Sequence, residues 1–368
     1  MDVVTAYLYG SLDSEIYMKV PDGINIPNHT ANRNMYCVKL QKSLYGLKQS
    51  GRMWYNCLSE FLSLKEYTKN DDCRCVFIKK TSSGFCIISV YVDDLNIIGN
   101  ETDINEAPFT FRNFLYQSAY IQKILEKFNI DKSYPAKTPM VGFPYLSVIG
   151  ALMYLANSIR LDIAFAVNLL ARYSASPTKR YWNGVKNVFR YLNGTRDLGL
   201  FYGKNQEQTL VGYTDTGYLS DPHNARSQTG FISYKQTLVA TSTNYSEIIA
   251  LYEASKECVW LQRMINHILQ LCGLGSIESP TTVYEDNVAC IVHMETCYIK
   301  SNITKHIAPK LFYPHALQKK RGEINILQTK SCDNLADLFT KCLPYSSFSK
   351  YVKGIGMRRF RDLQESGE

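Results

Sequence analysis

The chain lacks the marks of several protein classes. Its first ten residues, MDVVTAYLYG, contain no basic stretch followed by an apolar run, so no secretory signal is visible. The most apolar segment, residues 145–156, is too short to span a bilayer and runs into Asn157 and Arg160. Eleven cysteines include no Cys-x-x-Cys pair, and six histidines show no spacing that completes a zinc site. These absences argue against a secreted, disulfide-built or membrane protein. They favour a reducing intracellular setting, cytoplasmic or nuclear. No internal repeat or low-complexity tract occurs, which sets aside solenoids and collagen-like chains.

What is present suits a folded chain. At 45% hydrophobic and 20% charged residues, the composition is too apolar for disorder, and 368 residues at ~150 per domain allow two or three domains. Lysine and arginine exceed aspartate and glutamate by 41 to 33, and the net charge of +8 favours an anionic partner such as nucleic acid. Residues 1–100 alternate strand-like and helix-like runs, with a strand over 34–40 and an amphipathic helix over 51–64. That helix carries Trp54, Leu58, Phe61 and Leu62 on one side. Residues 101–145 are ragged, with one convincing helix over 119–128. A mainly helical stretch over 146–205 follows, then an α/β pattern over 206–345 and a tail over 346–368.

Residues 84–99 read GFCIISVYVDDLNIIG, two apolar β-rich runs that predict a hairpin with Asp93 and Asp94 at its tip. Asp-Asp is a poor choice for a two-residue hairpin turn, and adjacent like charges repel. A divalent ion relieves that repulsion; a solvated acidic turn is the plain alternative. Four further carboxylates stand near the ends of predicted elements. Asp215 follows the apolar run 210–213, and Glu247 lies near the start of an amphipathic segment over 245–269, with Ser242 and Thr243 as candidate N-caps. Asp286 follows the strand-like 281–284, and Asp337 falls in a short helix over 333–340 capped by Asp333. Taken singly, each is as readily a turn former or a helix cap.

Three motifs of the first hundred residues agree in order and spacing with one family. DVVTAYLYG at 2–10, SLYGLKQS at 43–50 followed by Arg52, Trp54 and Tyr55, and YVDD at 91–94 resemble the reverse transcriptase of copia-type LTR retrotransposon polyproteins. GYTD at 212–215, STNYSE at 242–247, YEDN at 284–287, TKHI at 304–307 and DNLAD at 333–337 resemble the ribonuclease H of the same family. Segments 150–156 and 190–195 resemble its connector. The resemblance implies an α+β chain: an incomplete reverse-transcriptase palm, a helical connector and an α/β ribonuclease H-like domain. It implies two-metal phosphoryl transfer, with Asp2, Asp93 and Asp94 forming the polymerase carboxylate cluster for two Mg²⁺ ions and Mn²⁺ as a substitute. Tyr7 would lie under the incoming sugar, and Gln49, Arg52 and Tyr91 near template and nucleotide. Asp215, Glu247, Asp286 and Asp337 would hold metal for hydrolysis of the RNA strand of a hybrid, with His306 as a helper. The implied partners are an RNA template, a DNA primer, deoxynucleotides and RNA/DNA hybrid, with no membrane. In the connector, Lys179, Arg180, Lys186 and Arg190 interleave with Tyr181 and Trp182. That face reads equally as a phosphate-tracking surface or a solvated helix side.

The departures from the family carry their own expectation. Asp2 follows the first methionine directly, the stretch over 99–118 is short and without a credible strand pattern, and residues 140–146 join two segments abruptly. The run 231–242 is too short for two strands, and Gly51 and Leu161 stand where the family has prolines. Losing the groove that clamps template and primer removes most of the positioning on which phosphoryl transfer depends. Polymerase activity is therefore expected to be lost or very weak. The alternative function is a catalytically inert, nucleic-acid-binding remnant of a decayed element. The family's aspartic protease and integrase are not expected in this segment.

Overall fold

A computed structural model describes residues 3, 5–21, 36–80, 84–92, 94–99, 113–115, 117–128, 145–202, 210–221, 226–229, 234–236, 240–297 and 307–366. The chain divides into two compact units, Met1–Pro108 with Trp260–Glu278, and Phe109–Val259 with Ser279–Glu368. Both mix helices with strands, as expected of an α+β chain. No helix of the described residues is long and apolar enough to cross a membrane.

In the first unit a one-turn 3₁₀ helix, Ala6–Tyr9, precedes the antiparallel pair β1 (Tyr17–Lys19) and β2 (Cys37–Lys39). Helix α1 (Ser50–Leu64) then leads into β3 (Thr68–Lys69), β4 (Val76–Lys80), β5 (Phe85–Tyr91) and β6 (Asp94–Gly99), an antiparallel sheet in chain order. Alternation along β5 buries Cys86, Ile88 and Val90, which join Phe77 of β4 and Trp54, Leu58 and Leu62 of α1 in one core. Each of these large apolar side chains contributes roughly 1.5–3 kcal/mol by leaving water. Phe61, expected on the same side, is 54% exposed. One step off the 54–58–62 row, it turns ~100° away from the sheet, and Met53 is buried on the flank instead. Val76 and Ile78 alternate to the other face, where residues 268, 271 and 272 of a later helix cover them.

The second unit contains β7 (Asn113–Leu115), α2 (Ser118–Lys127), α3 (Tyr145–Ser158), α4 (Ala164–Ala171), α5 (Lys179–Gly194), β8 (Leu198–Tyr202), β9 (Val211–Tyr213), β10 (Thr216–Asp221), β11 (Arg226–Thr229) and β12 (Tyr234–Lys235). There follow α6 (Thr243–Cys272, to residue 259 in this unit), β13 (Thr281–Glu285), α7 (Val288–Thr296), α8 (Ala308–Ala316), β14 (Ile324–Gln328), α9 (Tyr345–Gly354), β15 (Met357–Arg359) and α10 (Phe360–Ser366). Helices α2 to α5 share a core that includes Ile121, Leu125, Ile149, Leu152, Val185 and Phe189. Within it the fully buried Arg160 is forked onto Asp162, donating at 3.0 and 2.7 Å, and also donates to the Thr195 carbonyl and hydroxyl. Tyr191 adds a 2.7 Å hydrogen bond to Asp162, so this ion pair is satisfied on every side that matters for burial.

Strand β7 corrects the expectation that the stretch before residue 119 has no strand. It pairs antiparallel with β8, Asn113 opposite Tyr202, and three residues are too few to show alternation in a sequence. In the run 231–242 the described residues show one two-residue strand, β12, on the antiparallel sheet β10-β11-β12. The sheet that organises the acidic residues is parallel, ordered β14-β13-β9, with β13 central. Its face packs on α6 through Ile248, Leu251, Cys258 and Val283. Gly212 permits that approach, because a Cβ there would stand 2.8 Å from Cys258 Sγ.

Candidate active site

Strands β9 and β13 run side by side, Tyr213 opposite Tyr284, and the Thr214 amide donates to the Tyr284 carbonyl at 2.9 Å. The two strands therefore end level, and Asp215 and Asp286 follow at their carboxyl ends, where open α/β sheets place their ligands. The third carboxylate comes from α6. Ser242 Oγ accepts from the Tyr245 amide at 3.3 Å, and Gln236 donates to the Ser246 carbonyl, which sets the helix start and delivers Glu247. Asp215, Glu247 and Asp286 offer oxygens that all lie within 4.8 Å of one another. Asp215 and Glu247 are buried and Asp286 half-buried.

Three carboxylates so close are costly without a cation. Burial, with the charges of Glu285, Asp215 and Asp286 added, pushes the Glu247 carboxyl well above the usual range. Glu247 Oε2 is buried and has no hydrogen-bond partner among the described residues. Glu285, fully buried one residue before Asp286, is likewise pushed up by burial; its Oε1 accepts from the Asn287 amide at 2.9 Å, and its Oε2 has no such partner.

Asp337 stands apart from the trio and is linked to it through Lys341. The ammonium donates to Asp337 Oδ1 at 2.6 Å and to Asp215 Oδ1 at 3.0 Å, and the Thr340 hydroxyl donates to Asp215 Oδ2. Burial pushes Asp337 up to about 6, against the pull of Lys341 and with the Asp215 charge adding to it. For Lys341, burial works against the charge, but Asp215 and Asp337 outweigh it and hold the ammonium above its ordinary value. Asp333 is not the cap expected of it. The segment forms two 3₁₀ turns, Ser331–Asp333 and Leu335–Phe339, and Asn334 caps the second by accepting from the Ala336 amide. Asn334 also donates to the Thr214 carbonyl at 2.8 Å, which fastens this segment to the end of β9. Asp333 is exposed and paired with Lys350.

Lys341, Thr340, Asn334 and Glu285 were not singled out from sequence. Only Lys341 left a signal there, an i, i+4 spacing from Asp337. Asp215 also opens the triplet Asp215-Thr216-Gly217, the letters of an aspartic protease turn, so the expectation that no protease lies here does not rest on that triplet being absent. The triplet occurs once, and its aspartate converges with Glu247 and Asp286 rather than with a second aspartate of the same kind.

In the first unit the hairpin tip lies one residue earlier than expected. Tyr91 pairs with Asp94, so Asp94 opens β6 instead of sitting at the tip. Val92 adopts φ 58°, which suits such a turn but is rare for a β-branched residue, and Trp54 Nε1 holds its carbonyl at 2.6 Å. Tyr7 stacks on Tyr45 with ring centroids 4.4 Å apart and lies against the start of α1, where a Cβ on Gly51 would touch its hydroxyl at 3.5 Å. Gln49 is half-buried at the α1 N-cap position, while Arg52 and Tyr91 are exposed. Asp2, Asp93 and His306 lie outside the described residues. On α5, Lys179, Arg180 and Arg190 are exposed, but Tyr181 stacks on Tyr173 at 3.7 Å and Trp182 packs against the core. That arrangement leaves the aromatic half of the supposed binding face engaged internally.

Residues 1–112 match the family described as "Reverse transcriptase (RNA-dependent DNA polymerase)". The chain is 30% identical over 419 residues to the retrovirus-related Pol polyprotein from transposon TNT 1-94 of Nicotiana tabacum, covering 97% of this chain and 30% of that protein. It is 28% identical to the corresponding polyproteins from transposons RE2 and RE1 of Arabidopsis thaliana, over 97% and 98% of this chain and 27% of each of them. The chain thus spans less than a third of these relatives' length. The 419 aligned positions exceed its 368 residues, so the alignment opens gaps within it, in keeping with internal shortening. No solved structure matches it. Taken with the motifs, these relatives establish that the chain belongs to the Pol polyproteins of copia-type retrotransposons.

Proposed function

We propose that the second unit is a ribonuclease H-type nuclease that hydrolyses the RNA strand of an RNA/DNA hybrid. The first unit is a reverse-transcriptase palm fragment in which primer extension is weak or lost. One observation carries the nuclease reading: Asp215, Glu247 and Asp286 converge at the carboxyl ends of adjacent parallel strands, with a buried Glu247 oxygen left without a partner. Anionic oxygens of that kind suit a hard divalent cation such as Mg²⁺ or Mn²⁺, and these three residues would hold it. Bound there, the ion would supply Lewis-acid stabilisation and lower the pKa of water.

The rest of the chemistry falls to the chain itself. Thr340, hydrogen-bonded to Asp215 Oδ2, and Asn334, tied to the Thr214 carbonyl, fix the Asp215 side of the site. The Asn287 amide restrains Glu285, and the Asn287 side chain caps α7 through the Cys290 amide at 3.0 Å, which steadies the Asp286 side. Such prior placement matters because hydrolysis of a phosphodiester is mostly a problem of positioning and charge. The water oxygen bonds to phosphorus, one P–O bond breaks, and a proton ends on the departing ribose oxygen. Asp337 joins this unit through Lys341, and His306 remains a proposed helper. The segment scheme, with a palm fragment over 1–100, a connector over 146–205 and a nuclease domain over 206–345, belongs to the same reading.

The weak-polymerase part rests on the internal shortening between the hairpin and α3, which leaves little chain for the elements that grip a primer. The test uses the purified full chain and a labelled hybrid in Mg²⁺ or Mn²⁺. Cleavage that Asp215→Asn abolishes supports the nuclease. Hybrid binding that weakens with salt, without cleavage in either metal, would instead mark an inert nucleic-acid-binding remnant.

A further inference from the structure

We infer that Lys341 is a resident cation that takes the place of a second divalent ion, so that the acidic site binds one metal ion instead of two. The inference rests on the proposed metal-binding site and adds how many ions that site accepts. Its geometry is specific. The ammonium bridges Asp215 and Asp337, at 3.0 and 2.6 Å, and so occupies the place where an ion shared by those two carboxylates would sit. Asp215, Glu247 and Asp286 remain as a separate trio within 4.8 Å. The buried, unpartnered Glu247 Oε2 points to a ligand still to be bound on that side.

Charge favours the same division. Four carboxylates carry four negative charges when ionised; one divalent ion and one ammonium offset three of them. A second divalent ion would have to displace the lysine or sit against it, at the 3.5–4 Å spacing typical of paired metals in nucleases. Placement of the lysine is local and built in. It lies four residues after Asp337, and its amide donates to the Asp337 carbonyl at 3.0 Å, a single turn that brings the two side chains together. Its side chain is 42% exposed, so it enters from solvent at small cost and is not locked into a core.

The test counts Mn²⁺ ions bound to the full chain by electron paramagnetic resonance, taking only ions lost on Asp215→Asn as belonging to this site. The wild-type chain should bind one such ion with the spectrum of an isolated Mn²⁺. Lys341→Met should bind two, with the altered spectrum of ions close enough to couple. Lys341→Gln repeats the charge removal should the methionine variant fold poorly, and Lys341→Arg should keep the count at one. Equal counts in the wild-type and charge-removed chains would overturn the inference. Two ions in the wild type would overturn it while leaving the metal site standing. No Asp215-dependent ion in any chain would remove the metal site itself.

Discussion

In the second unit, carboxylates from two strand ends and a helix meet within 4.8 Å; in the first, Asp94 opens an exposed strand beside a turn held by one tryptophan hydrogen bond. The contrast lies in how each position is enforced. Asp215 and Asp286 are placed by parallel pairing of β9 with β13, and the fastening of Asn334 to the Thr214 carbonyl ties the Asp337 segment to the same strand end. Nothing comparable reinforces Asp94 among the described residues, where a hairpin and the Trp54 contact do the positioning. A site built on strand ends inside a packed unit tolerates loss of chain elsewhere better than one assembled at a hairpin tip. On the proposed reading, internal shortening should therefore bear harder on the polymerase than on the nuclease.

The sharpest way to break this comparison is Asp215→Asn. Hybrid cleavage should fall by on the order of 10³-fold or more, the scale lost when a preorganised electrostatic group is removed, while any residual primer extension stays unchanged. Asp162→Ala comes next. It strands the buried Arg160 and should cost about 3–5 kcal/mol, read as a lowered urea midpoint.

A smaller effect concerns pH. Asp337 titrates at about 6 in the folded chain against an ordinary value of 3.8. Its folded form therefore holds a proton that the unfolded form has released. The stability this lends is complete below the ordinary value and is lost as pH rises through about 6, at roughly 1.4 kcal/mol per pKa unit. Urea titrations in chelator between pH 4 and 7 should show that decline, and Asp337→Asn should make it shallower, leaving the share of Glu247 and Glu285, whose carboxyls burial also pushes up.

The smallest effects test the hairpin. Trp54→Phe leaves the Val92 carbonyl without its donor and should cost ~1 kcal/mol. Val92→Gly relieves a left-handed β-branched residue and should raise stability by ~1 kcal/mol. If Trp54→Phe costs as much as Asp162→Ala, the hairpin tip is held more firmly than the comparison supposes.

What could be read from the sequence tracks the range of the interactions involved. Helices α1 and α2 and the start of α6 follow from local periodicity and capping residues, and their bounds agree to within a residue or two. Each acidic position stood at the end of a predicted element because turn chemistry is also local. Their meeting point was not legible without the family resemblance, since it depends on β9 pairing with β13, two short strands far apart in the chain. Phe61 and Asp333 were misread for a related reason. A wide apolar stripe does not say which edge faces the sheet, and an aspartate beside an asparagine does not say which one caps. Lys341 reads as an ordinary surface lysine until Asp215 arrives from the other side.

The most direct measurement puts both units into one reaction. The purified chain is given a labelled RNA template annealed to a DNA primer, with deoxynucleotides and Mg²⁺, and both strands are followed on one gel. The predicted result is a shortened RNA strand with a primer of unchanged length. A primer extended to full length, or an RNA strand left intact while the chain remains folded and bound, would contradict it.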